Sequence, residues 1–242
     1  MIFLNIGEII GDSLRYPLNN VQALLIYIVL GIIIGIIGAF TGATSMFAVS
    51  ATGLKLNVLN AGSILGSFVM LLLSFLIIGY QLDIVNYGIE LRYDAPGLDF
   101  VRQIINGIKL LIVNVVYFLI PTIVCVILGL VFQHWIVFIV GFILFVLFAL
   151  LAVIGSCRLA NTDSLAYALN VKAAYVDASD IGFGKLIGTI VIVAIIALIL
   201  SFIVSGFHVL NAFLGGIIGG IINVYIVFFI ARATGLLYYN VG

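Results

Sequence analysis

Six stretches of about 20 residues each, built almost wholly from Ile, Leu, Val, Phe, Ala and Gly, decide what this chain can fold into. They cover about residues 21–41, 62–80, 110–132, 135–155, 186–206 and 212–231. A bilayer's hydrocarbon core is about 30 Å thick, and an apolar helix of about 20 residues crosses it. Lipid cannot satisfy backbone N–H and C=O groups, so each run is expected as a helix. A transmembrane barrel would instead show short alternating strands, and these runs do not alternate. Composition agrees: 7% of residues are charged and 65% hydrophobic, too few polar side chains to cover a water-soluble surface. The expectation is one domain over 1–242, an all-α integral membrane protein of six transmembrane helices arranged as three hairpins.

The charges sort by loop. Glu8, Asp12, Asp83, Glu90, Asp94, Asp99, Asp163, Asp177 and Asp180, with Arg15, Arg92, Arg102, Lys109, Arg158, Lys172, Lys185 and Arg232, fall in the terminal segments and in the loops 81–109 and 156–185. Six spans put all of these on one side, and only Lys55 on the other. By the positive-inside rule the charged side, with both termini, is cytoplasmic, and the membrane is the cell membrane. Glu8 and Asp12 stand where a cleavable signal would be basic, so the first span is expected to be retained. Residues 41–60 are moderately apolar but contain Lys55, and read as an external loop, a re-entrant piece or an extension of the first helix.

Each pair of spans follows a segment with amphipathic spacing. Asn5, Glu8, Asp12 and Arg15 oppose Phe3, Ile6, Ile10 and Leu14. From Asp99, the residues Arg102, Gln103, Asn106 and Lys109 oppose Phe100, Val101, Ile104, Ile105 and Ile108. In the third loop Asp163, Asn170 and Asp177 share a stripe opposite Leu165, Leu169 and Val176. All three predict interfacial helices, either lipid anchors or docking faces for a partner. The second is expected to turn Arg102 and Asn106 to water.

The middle of every span lacks Asp, Glu, Lys, Arg and His, which argues against proton-coupled transport and intramembrane acid–base chemistry. Asn114, Pro121 and Asn223 are the candidates for a pore or polar lining. Small residues form stripes: Gly31, Gly35, Gly38 and Gly42 on the first span, and Gly216, Gly219 and Gly220 with Asn223 on the sixth. Such stripes allow close helix packing, within the chain or against a second copy, and the first and last spans are expected to meet along them. His134 and His208 fall on short turns with no further ligands nearby, so no metal site is expected. Cys125 and Cys157 read as buried free thiols. No cofactor motif or catalytic constellation is present, and zero net charge gives no field for nucleic acid.

Four segments, NIGEIIGDSLRYPLNN, APGLDFVRQIINGIKLLIVNVVYFLIP, RLANTDSLAYALN and ARATGLLYY, resemble an uncharacterised archaeal membrane-protein family, domain of unknown function 4013, found largely in methanogens. The family usually carries an acidic, aromatic run before the positions of Gly107 and Lys109. Here LDFVRQIIN is less acidic and lacks the Trp. The resemblance implies a six-span membrane protein and brings no catalytic or ligand residue. The sequence thus leaves a non-enzymatic protein interacting with lipids or membrane partners, a channel or facilitator for a small solute, and an enzyme built from the charged-side Asp94, Asp99, Asp163, Asp177 or Asp180.

Overall fold

The computed structural model describes residues 4–41, 49–50, 53–54, 61–132, 135–239 and 241. A short helix α1 (Ile6–Asn19) leads directly into α2 (Val21–Thr41). Residues Val49–Ser50 (β1) pair antiparallel with Gly53–Leu54 (β2). Then come α3 (Ala61–Ile89), α4 (Phe100–Phe132), α5 (Ile136–Thr162), the short α6 (Leu165–Ala168) and α7 (Val171–Ile181), and finally α8 (Phe183–Leu210) and α9 (Ala212–Tyr238). Six of these helices are long and apolar enough to cross a membrane. Gly42, Lys55 and His134, and most of the ambiguous segment 41–60, lie outside the described residues.

The helices outrun the apolar segments. At 1.5 Å per residue, the 33 residues of α4 are about 50 Å long, well beyond a core of about 30 Å. The surplus is where the charged residues sit. Apolar side chains such as Phe138, Phe142, Leu198 and Phe202 are exposed along the bundle, a surface suited to lipid rather than water.

The packing centres on α9. It lies along α2, α3, α8 and α1, while α4 packs on α3 and α5. Two turns show how the sequence sets the joints. In α1, Asn5 Oδ1 accepts from Glu8 N at 2.9 Å and Glu8 Oε2 accepts from Asn5 N at 2.7 Å, a capping box that fixes the start. Gly182, at φ +88°, makes the bend between α7 and α8 that an L side chain rarely adopts.

Two of the three expected interfacial helices depart from a single separate helix. Residues 100–109 are the first turns of α4, continuous with its apolar run, and Asp99 Oδ1 caps their start by accepting from Arg102 N at 3.1 Å. The third breaks in two. Asp163 adopts a left-handed conformation (φ 51°) that ends α5, and Asn170 Oδ1 caps α7 by accepting from Ala173 N. These residues form no polar stripe: two of the three are helix caps, and the third, Asp177, is drawn into an ion pair.

Candidate functional site

Glycine brings the first and last long helices into backbone contact. A Cβ added at Gly31 would lie 2.6 Å from the Gly220 carbonyl oxygen, and one at Gly35 would overlap Gly216. A Cβ on Gly220 would meet the Gly31 carbonyl. No side chain larger than hydrogen fits there. Gly219 points elsewhere, toward Val204 and His208 of α8. The same device recurs where the sequence reading did not look: Gly79 lies on the Gln103 backbone, Gly107 on Phe75, and Gly88 on Gly235. Spacing alone could have flagged Gly79 and Gly107, because each lies inside a long helix where glycine otherwise costs about 1 kcal/mol.

Beside the α2–α9 seam is a cavity of about 420 Å³. Gly31, Gly35 and Gly38 of α2, Met70, Ser74 and Ile77 of α3, and Gly216 to Val227 of α9 line most of it, with His208 at one end. Its walls are apolar apart from Ser74, His208 and Asn223. Asn223 Nδ2 donates to the Gly219 carbonyl at 2.8 Å. Asn114 and Pro121 are not among the lining residues, and Asn114 Nδ2 donates within its own helix, to the Leu110 carbonyl. The three pore candidates therefore do not converge.

At the other end of the bundle the polar residues interlock. Arg232 is wholly buried, with Nε on Asp12 Oδ1 at 2.7 Å and Nη1 on the carbonyls of Tyr87 and Arg92. Its guanidinium carbon lies 4.9 Å from the Tyr16 ring centre and 5.2 Å from that of Tyr93. Tyr16 OH donates to the Asp94 carbonyl, tying α1 to the segment after α3. Burial pushes the Tyr16 phenol up, keeping it a neutral donor. In that segment Arg92 holds the Asp94 carboxyl below its usual range by a side-chain hydrogen bond, 2.7 Å at its shorter contact. A second knot joins α5, α7 and α9: Arg158 Nη1 and Tyr238 OH each donate to Asp177 Oδ2 at 2.6 Å. Cys157 is buried beside it and donates to the Thr234 carbonyl; Cys125 is also a free thiol.

The start of α4 meets half of the expected orientation: Arg102 is exposed, and Asn106 is not. Gln103 is 0% exposed and Asn106 is 8% exposed, while Val101 is 70% exposed. Tyr27 OH donates to Gln103 Oε1 at 2.6 Å, and Tyr27 stacks on Tyr80 with ring centres 4.1 Å apart. Asp83 accepts from Arg102 Nη2 at 3.0 Å and Asn106 Nδ2 at 3.3 Å. Gln103 and Asn106 are turned into the protein, where Tyr27 on α2 and Asp83 on α3 partner them, although Gln103 Nε2 has no hydrogen-bond partner among the described residues; the apolar face is left outside, as suits a lipid surface. Asn106 does not face water.

Three of the aspartates proposed for a charged-side cluster are held in ion pairs. Asp94 pairs with Arg92, Asp163 with Lys109 and Asp177 with Arg158. Among the described residues, no group of three or more His, Cys, Asp or Glu could hold a metal ion.

The family described as "Protein of unknown function (DUF4013)" matches residues 62–209. The chain belongs to this family. No curated protein and no solved structure matches it. The DUF4013 match runs from the start of α3 almost to the end of α8, leaving α1, α2 and α9 outside it. The cavity thus has Met70, Ser74 and His208 on the matched part and the glycine seam on the unmatched part.

Proposed function

We propose that this multi-pass membrane protein is a non-enzymatic lipid-handling protein whose groove beside the α2–α9 seam holds a hydrocarbon chain. One observation carries the reading: the cavity of about 420 Å³ has mainly apolar walls and lies between helices long enough to span a bilayer. Its volume is within the range of about 300–1,000 Å³ typical of ligand sites. A mainly apolar cavity of that size, set in lipid, is filled by lipid chains, since Ser74, His208 and Asn223 are too few polar partners to hold a continuous file of water. The same walls speak against a solute channel, which needs a continuous polar lining. The charge distribution supports residence in the cell membrane with both termini cytoplasmic. The seam glycines are occupied within one chain, so they need no second copy.

The test fills the groove without touching the seam. Protein purified from native membrane in mild detergent is weighed intact, with its bound lipids, by native mass spectrometry. Wild type is expected to retain lipid, and Ser74→Phe and Ala212→Phe to retain several-fold less while folding normally. Equal retention in all three would refute the groove as the binding site.

A further inference from the structure

A second cavity, of about 200 Å³, lies at the charged end between α3, α4 and α5. It differs from the groove in chemistry: Asp83, Asn86, Tyr87, Arg102, Asn106 and Asp163 line most of it. We propose that this pocket binds a primary ammonium group, such as the amine of a lipid headgroup or of a small soluble amine.

The lining residues offer acceptors. Asn86 Nδ2 already donates to the Ala160 carbonyl at 3.0 Å, and Asn106 Nδ2 to Asp83 Oδ1. Each amide keeps its oxygen as an acceptor, beside one further N–H. An ammonium carries three donors and no acceptor, so it matches such a set. Two carboxylates, Asp83 and Asp163, line it with the guanidinium of Arg102, while the cation paired with Asp163, Lys109, lies outside the lining. Asp83 is 7% exposed, and a carboxylate buried that far needs a cationic partner. Its present partner, Arg102, has a side chain 51% exposed, so it can swing to water and yield the carboxylate to an incoming cation. Lys109, 2.6 Å from Asp163, stands by the rim as a counter-charge for a phosphate.

Position favours a lipid source. Val101, Ile105 and Ile108, on the same turns of α4 as Arg102 and Asn106, are exposed apolar residues. They bring lipid alongside the pocket at the depth where charged residues begin, which is headgroup depth. The inference does not rest on the hydrocarbon groove at the far end.

The full-length protein is reconstituted in phosphatidylglycerol nanodiscs containing equal minor fractions of phosphatidylethanolamine and phosphatidylcholine, and retained lipids are read by native mass spectrometry. Phosphatidylcholine is the control because its quaternary ammonium has no N–H to donate. Phosphatidylethanolamine is expected to be favoured by about tenfold, the worth of one hydrogen bond to a charged group, and Asp83→Asn to abolish the preference. Asn106→Asp, which adds a carboxylate beside Asp83, is expected to raise it, a gain that misfolding cannot mimic. A preference absent for the lipid, with methylamine or ethanolamine raising the Tm of wild type but not of Asp83→Asn, would assign the pocket to a soluble amine. Equal retention of the two lipids, no thermal shift with either amine and no gain in Asn106→Asp would overturn the proposal. Should Asp83→Asn fail to fold, Asn106→Asp decides alone.

Discussion

Near His208, α2 and α9 are joined by Gly31, Gly35, Gly216 and Gly220, with backbone against backbone and a cavity alongside. At the opposite end α1, α9 and the segment after α3 are joined by Arg232, Asp12 and the carbonyls of Tyr87 and Arg92. The first joint relies on dispersion, which has no preferred direction and is short-ranged, a gap of about 0.5–1 Å forfeiting a quarter to a half of it. The second relies on directed hydrogen bonds to a buried cation, which are lost if the geometry slips. A bundle built this way has one end that tolerates a groove and one that fixes the register of its helices.

The sharpest way to break the contrast is to remove one partner at the polar end. Asp12→Ala leaves Arg232 buried without its carboxylate, and a loss of about 3–5 kcal/mol is expected, as for other broken buried pairs. Thermal unfolding in detergent measures it. Adding Arg232→Met should recover part of the loss, because the uncompensated charge has gone. A near-neutral Asp12→Ala would mean the pair has no such role.

The seam is expected to respond less. Gly35→Leu forces α2 and α9 apart and should cost about 1–3 kcal/mol by overpacking. Coupling sharpens the test. Gly35→Ala and Gly216→Ala share a contact and should be non-additive, whereas Gly35→Ala and Gly219→Ala should add to within about 0.5 kcal/mol. A Cβ on Gly219 meets Val204 at 3.1 Å, on α8, so it does not feel α2. Strong coupling between positions 35 and 219 would contradict the assignment of faces.

The smallest effect is one of accessibility. Single cysteines at positions 101 and 103 should label very differently with a membrane-permeant maleimide, readily at 101 and scarcely at 103. Equal labelling would restore a surface helix with its polar face outward.

That last pair shows where the sequence was legible and where it misled. The six apolar runs could be read because lipid demands about 20 apolar residues per helix, whatever the packing. The ends could not, because DFVRQIINGIK has the same spacing whether its polar face meets water or Asp83 and Tyr27. Amphipathicity reports that two faces differ, and only the partners decide which face is inside. The knots escaped notice for a related reason. Asp12 and Arg232 are 220 residues apart, and charges on one predicted side of a membrane read as solvated until something brings them together. The polar pocket was missed likewise, since Asp83, Arg102 and Asp163 belong to three different helix ends. The glycine stripes were more informative, because in lipid a bare glycine face gains little unless another backbone covers it. Even so, spacing grouped Gly219 with Gly216 and Gly220, and the structure turns it to α8.

The central claim is that the groove beside the seam holds a hydrocarbon chain. An experimental structure of the full chain in lipid nanodiscs tests it most directly. The account predicts elongated, unbranched or methyl-branched density running from His208 past Gly35 and Asn223 toward Val227, with no ordered water along it. A file of ordered water through the same space, or a groove closed by collapse of α2, α3 and α9, would contradict it.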